Sequence, residues 1–167
     1  MRKKVMILGA ASGQLPLINR CKERNYEIIV VSVKGDYPGF KVADKVYYYD
    51  TMDKENILES AVLEKIDAIM TDQTDVAVPT VAYVSEKMGL RGIGVECARR
   101  FTNKYDMRLF AKKAGVNVPD FDKCDNLDDA IRIANDIGYP VIIKPVDSSG
   151  SRGVFRIIND NAMREMF

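Results

Sequence analysis

The sequence predicts an α/β protein. A doubly wound, Rossmann-like parallel-sheet domain comes first, followed by a smaller and incomplete α+β unit. Three observations carry this expectation. Short, nearly continuous apolar runs alternate with helical stripes over the first ninety residues, the pattern of a parallel sheet buried on both faces. The alternation breaks near residues 90–103. Beyond it come helices and one pair of strands, too few elements to close a core. The boundary is expected near residues 95–103, giving domains 1–98 and 99–167.

In order, Lys4–Ala10 predicts the first strand, and Leu15, Ile18 and Cys21 recur at helical spacing. Tyr26–Val33 and Val46–Tyr49 predict the next two strands. Asp53 can cap a helix whose stripe is Ile57, Leu58, Ala61, Val62 and Lys65. Ile66–Met70 is the fourth strand. Asp75 is the expected cap of the following helix, with Pro79 in its first turn and Gly89 past its end. In the second unit, Glu96–Phe101 is a brief helix, and Asn103 opens another with core face Met107, Phe110, Ala111 and Ala114. Asn126 caps a helix with stripe Leu127, Ala130, Ile131, Ala134 and Ile137, with Asp128 and Asp129 suited to its first turn. Tyr139–Val146 and Val154–Ile158 are strands flanking the loop Asp147–Gly153, and Asn159–Phe167 begins a helix.

Composition removes several classes of function. Of 167 residues, 25 are Lys or Arg and 24 Asp or Glu, and residues 1–100 and 101–167 are each nearly balanced, so neither part has the basic excess of a nucleic-acid binder. No apolar run approaches the length of a membrane span. There is no histidine, which eliminates His-based nucleophile activation and His-ligated metals. Cys21, Cys97 and Cys124 are scattered, as expected of free thiols in a reducing cytoplasm.

The loop Asp147-Ser148-Ser149-Gly150-Ser151-Arg152-Gly153 is the sharpest chemical signal. Small residues let backbone N–H groups approach an anion, and hydroxyls add donors. Lys144 precedes it, in register with Ile142 and Val146, where a lysine needs an anion to offset burial. The plain alternative is a flexible hairpin with a snorkelling lysine. Lys104 and Arg108 lie one helical turn apart and could face the same anion or simply solvent. The turn Gly9–Gln14, with Ser12 and Gly13, opens a helix after a strand, a placement suited to anions or to packing alone. Asp72, Gln73 and Asp75 sit at the carboxyl end of the fourth strand, where open α/β sheets bind ligands. Both dinucleotide glycine fingerprints fail, at Gly9–Gln14 and at Gly92-Ile93-Gly94.

Taken together, Asn103-Lys104, Met107-Arg108, Ala114-Gly115-Val116, Val118-Pro119, Gly138 to Pro145 and Ser149 to Val154 resemble the ATP-grasp superfamily. Residues Gly9 to Gln14, Ala43-Asp44, Asp67-Ala68 and Gly89 to Gly92 resemble the domain that precedes an ATP-grasp domain. The flavour is that of carbamoyl-phosphate-synthase large chains. This resemblance implies an ATP-dependent carboxylate–amine or related ligase acting through an acylphosphate, in which Lys104, Lys144 and the loop Ser148, Ser149, Gly150, Ser151, Arg152 and Gly153 bind ATP. Gly9, Ser12, Gly13, Gln14, Asp72, Gln73 and Asp75 would face the substrate. ATP, Mg²⁺ and a small carboxylate are the implied ligands, with no nucleic acid or membrane partner and a cytoplasmic location. The resemblance places the catalytic and magnesium-binding residues beyond Phe167, so the 167-residue chain by itself is expected to be inactive. The unpaired edge at Val154–Ile158 invites a homo-oligomer. The alternative is a non-catalytic nucleotide- or partner-binding module.

Overall fold

The computed structural model describes residues 2–167. Two compact units divide between Thr102 and Asn103. In the first, β1 (Lys4–Leu8), β2 (Glu27–Val31), β3 (Lys45–Tyr47) and β4 (Ala68–Thr71) form one parallel sheet in the order β3-β2-β1-β4. Alternate residues of the two central strands feed opposite faces, as the two-residue period requires. Met6, Leu8, Ile29 and Val31 pack with α3 (Lys54–Glu64) and α4 (Val78–Lys87). Val5, Ile7, Ile28 and Val30 pack with α1 (Leu15–Glu23) and α2 (Pro38–Val42). The doubly wound expectation is therefore met, and α5 (Val95–Thr102) ends the unit.

Several local expectations are corrected. The five-residue α2 was not anticipated, because one turn led by Pro38 shows no apolar period. On α3 the inward face is Ile57, Ser60, Ala61 and Glu64, while Val62 is 56% exposed. Lys65 is not part of that face but a left-handed cap at φ 54°. The turn before α4 is capped at Ala77 without a side-chain bond, and Asp75 contributes its carbonyl to the Val78 N–H at 3.1 Å.

Glu64 explains the rotation of α3. Its carboxylate accepts hydrogen bonds from Lys45, from Tyr47 Oη at 2.6 Å and from Lys4 Nζ at 3.3 Å, tying the end of α3 to the amino edge of the sheet. The Lys45 bond first, then that of Tyr47, hold the Glu64 pKa down at about 2 against the opposing effect of burial.

The second unit contains α6 (Lys104–Lys113), α7 (Leu127–Ile137), β5 (Val141–Ile143), β6 (Phe155–Ile157) and α8 (Asp160–Met166). β5 and β6 pair antiparallel, with Val141 opposite Ile157 and Ile143 opposite Phe155. Ala130, Ala134, Ile157 and Met163 form a small core with Leu127, Ile131, Val141 and Ile143 around it. Asn103, Asn126 and Asn159 each cap a helix through the side-chain oxygen. The expected core face of α6 is not buried: Met107 and Phe110 are exposed, and no α6 residue is buried. Nor is Ile137 on α7. Both strands are shorter than their apolar runs, since Pro145 lacks the N–H that would extend β5.

Candidate functional site

The site in the second unit begins at the α6 cap. Asn103 Oδ1 accepts from the Tyr105 and Asp106 N–H groups at 3.0 and 3.1 Å, which fixes the first turn. The Lys104 N–H then donates to the Val146 carbonyl at 2.8 Å. The Lys104 ammonium reaches back to the same carbonyl at 3.5 Å and to that of Ser148. The start of α6 is thus bound to the chain leaving β5.

Lys144 lies one residue past the end of β5 and is half-buried. The expected register with Ile142 on a buried face is corrected: Ile142 is 55% exposed, and the strand stops before Lys144. Burial pushes the Lys144 ammonium below the usual lysine range, and the charges of Arg108 and Lys104 push it further. A cleft of about 670 Å³ is lined by these three cations, by Asp120, Asp122, Asp147 and the Lys123–Asp125 ion pair, and by apolar groups including Phe121, Ile133 and Ile142. Among the described residues, Lys104, Arg108 and Lys144 have no carboxylate partner. Such a cluster repels itself unless an anion sits among its members.

The loop is shaped by positive φ at Gly150, Ser151 and Gly153. A Cβ on Gly153 would stand 3.0 Å from Pro145 Cγ, so the return of the loop crosses its own entrance closely. The cleft wall ends at Asp147, and Ser148, Ser149, Gly150, Ser151, Arg152 and Gly153 stand outside it. Arg152 Nε donates to the Ser149 carbonyl at 3.2 Å, inside the loop.

In the first unit, the carboxyl ends of β1 and β4 bring the other predicted residues together, since Leu8 pairs with Thr71. Gly9 turns at φ 102°, and a Cβ there would meet the Gln14 side chain at 3.0 Å. Gln14 is 5% exposed. Its Oε1 accepts the Ala11 N–H at 3.1 Å, and its Nε2 donates to the Asp72 carbonyl at 2.5 Å. Gly13 faces Gln73, where a Cβ would stand 3.2 Å from that of Gln73. Gln14 is therefore a clamp between the two turns, while Ser12, Gln73 and Asp75 are exposed beside it. Sequence reasoning did not foresee the walls at Phe121 and Ile133, because Phe121 lies in an irregular segment and Ile133 off the main α7 stripe.

Comparison with known proteins agrees with this architecture. Residues 103–167 match the family model for the carbamoyl-phosphate synthase L chain ATP-binding domain. The chain is 28% identical over 171 residues to the carbamoyl phosphate synthase large chain of Pseudothermotoga lettingae, covering 92% of this chain and 15% of that protein. It is 28% identical over 152 residues to the formate-dependent phosphoribosylglycinamide formyltransferase of Pasteurella multocida, covering 90% and 38%. The biotin carboxylase domain of Hydrogenobacter thermophilus 2-oxoglutarate carboxylase superposes with a TM-score of 0.79 at 25% identity, over 99% of this chain and 39% of that one. That crystal structure contains MgADP and bicarbonate. In fold and in these matches the chain is similar to ATP-grasp proteins. The carbamoyl phosphate synthase large chain and the formate-dependent phosphoribosylglycinamide formyltransferase match at the same identity. The chain spans well under half the length of these relatives.

Proposed function

We propose that this chain supplies the phosphate-binding part of an ATP-dependent ligase that activates a small carboxylate as an acylphosphate. The observation that carries the reading is the cleft that Lys104, Arg108 and Lys144 line without an ion pair to any carboxylate among the described residues, although Asp120, Asp122, Asp125 and Asp147 stand elsewhere on its wall. A polyphosphate chain is the anion that suits several cations at once. In the reaction, a carboxylate oxygen attacks the γ-phosphorus, and the bond to the bridging oxygen breaks as ADP leaves with its electron pair. An amine or related nucleophile then attacks the acyl carbon, phosphate departs with the C–O electrons, and the nucleophile gives up its proton. Lys144 and Lys104 hold the polyphosphate and balance charge that shifts toward the leaving group. The Ser148–Gly153 loop would fold over the phosphates and exclude water.

Among the described residues, no group of three or more His, Cys, Asp or Glu side chains is placed to hold a metal ion. At the first-unit edge, Ser12, Gln73 and Asp75 are exposed to meet the carboxylate or its acceptor, with Gln14 holding the two turns in place. The test is calorimetric titration with MgATP and AMP, together with hydroxylamine trapping of an acylphosphate in the protein at its full encoded length. Saturable MgATP binding and a hydroxamate product that requires ATP are expected. AMP binding as tightly as MgATP, or carboxylate activation through an adenylate, would overturn the reading.

A further inference from the structure

We infer that Arg108 is a third polyphosphate-binding residue of this cleft, and that Lys104 divides its role between the nucleotide and the root of the loop. The inference rests on the ATP reading above and adds to it.

Four features of the second unit support the assignment. Arg108 follows Lys104 by one turn of α6, so both project from the same side of the helix. Arg108 lines the cleft alongside Lys144. Its guanidinium stands 5.7 Å from the centroid of the Phe121 ring, which is itself packed edge-on against Tyr105 at 5.7 Å. That cation–π contact holds a planar, five-donor group at the cleft while leaving its N–H donors for an anion. Finally, the Lys104 ammonium is already engaged by the Val146 and Ser148 carbonyls. Arg108 and Lys144 are consequently the cations at the cleft with no hydrogen-bonded acceptor among the described residues. The proximity of Arg108 also accounts for part of the lowered Lys144 pKa, a repulsion that a bound phosphate would reverse.

Lys104 then has two sets of acceptors. Without nucleotide it holds the chain at Val146 and Ser148; with nucleotide a phosphate oxygen competes for the same ammonium. Arg108 has no such competition and can engage the anion first.

The experiment uses Arg108→Met, Arg108→Lys and Lys144→Met in the full chain, titrated with MgATP, MgADP, AMP and inorganic tripolyphosphate at one salt concentration, with melting curves beside them. Arg108→Met is expected to weaken MgATP and tripolyphosphate about tenfold or more while changing AMP affinity by less than about threefold. Arg108→Lys should recover part of the loss. A merely structural Arg108 would lower affinity for all four ligands together and would not restore phosphate selectivity in the lysine variant. Unchanged MgATP affinity in Arg108→Met, with Lys144→Met clearly weakened, would overturn the assignment of Arg108 alone. Unchanged affinity in both variants would overturn the ATP reading itself. Should Arg108→Met fail to fold, Arg108→Lys with weakened tripolyphosphate and MgATP but nearly unchanged AMP binding would support the inference, and either unchanged affinity for all ligands or loss of AMP binding in step with the others would refute it.

Discussion

Neutralising Glu64 should make the first unit less sensitive to mild acid. The wild-type carboxylate is 7% exposed and receives three hydrogen bonds, from Lys45, Tyr47 and Lys4. Its pKa falls from 4.5 to about 2 in the fold. A difference of that size corresponds to roughly 3 kcal/mol at 1.36 kcal/mol per unit. Lys45 is half-exposed, so solvent screening reduces the expectation to about 2 kcal/mol. Because the folded pKa is depressed, this stabilisation is complete above the unfolded value near 4.5 and is lost as pH falls toward about 2. Glu64→Gln keeps the shape and removes the charge. Urea denaturation at pH 7 should show the variant less stable by about 2 kcal/mol, and the gap should close progressively at pH 4 and pH 3. A gap of equal size at pH 7 and pH 3 would refute the ion network as the source of the stability. So would no gap at all.

Three other outcomes follow from the geometry. Gln14→Ala removes both arms of the clamp and should cost about 2 kcal/mol, with faster amide hydrogen exchange confined to the turns at Ala11 and Asp72–Asp75. Gly153→Ala combines a left-handed backbone at φ 68° with a 3.0 Å approach to Pro145, so it should destabilise the loop by roughly 1–2 kcal/mol and weaken MgATP binding, measured by titration, while leaving the melting of the first unit unchanged. The 167-residue chain alone should bind MgATP without releasing phosphate above background in a steady-state assay, because it has no histidine and because no group of three or more His, Cys, Asp or Glu side chains among the described residues is placed to hold a metal ion.

The parallel sheet was legible because β1 and β2 are buried on both faces, and burial writes unbroken apolar runs. The Asn103, Asn126 and Asn159 caps were legible because side-chain capping is local chemistry. The inward face of α3 was not, since Glu64 reads as a solvent residue until Lys4, Lys45 and Tyr47, distant in sequence, converge on it. Similarly, Met107 and Phe110 mark α6 as amphipathic, but nothing in their spacing tells whether another element covers them. At the site, Lys144 was legible from its place just before the small-residue loop, whereas Lys104 drew notice only through its helical spacing with Arg108 and through the family resemblance. The engagement of Lys104 by the Val146 and Ser148 carbonyls was not, because backbone acceptors leave no trace in side-chain identity. Gln14 shows the same limit: its residue type suggested a ligand contact, whereas its burial and two backbone partners make it a clamp.

The measurement that bears most directly on the phosphate site is MgATP titration of Lys144→Met against the unsubstituted protein, at fixed magnesium and salt, with melting curves for both. The side-chain stem remains and the charge goes, which also relieves repulsion from Arg108 and Lys104. The melting temperature should hold or rise, and MgATP affinity should fall about ten- to a hundredfold, the worth of one charge-assisted phosphate contact. Unaltered affinity with a normal melting curve would remove Lys144 from the site and leave the cleft without its phosphate.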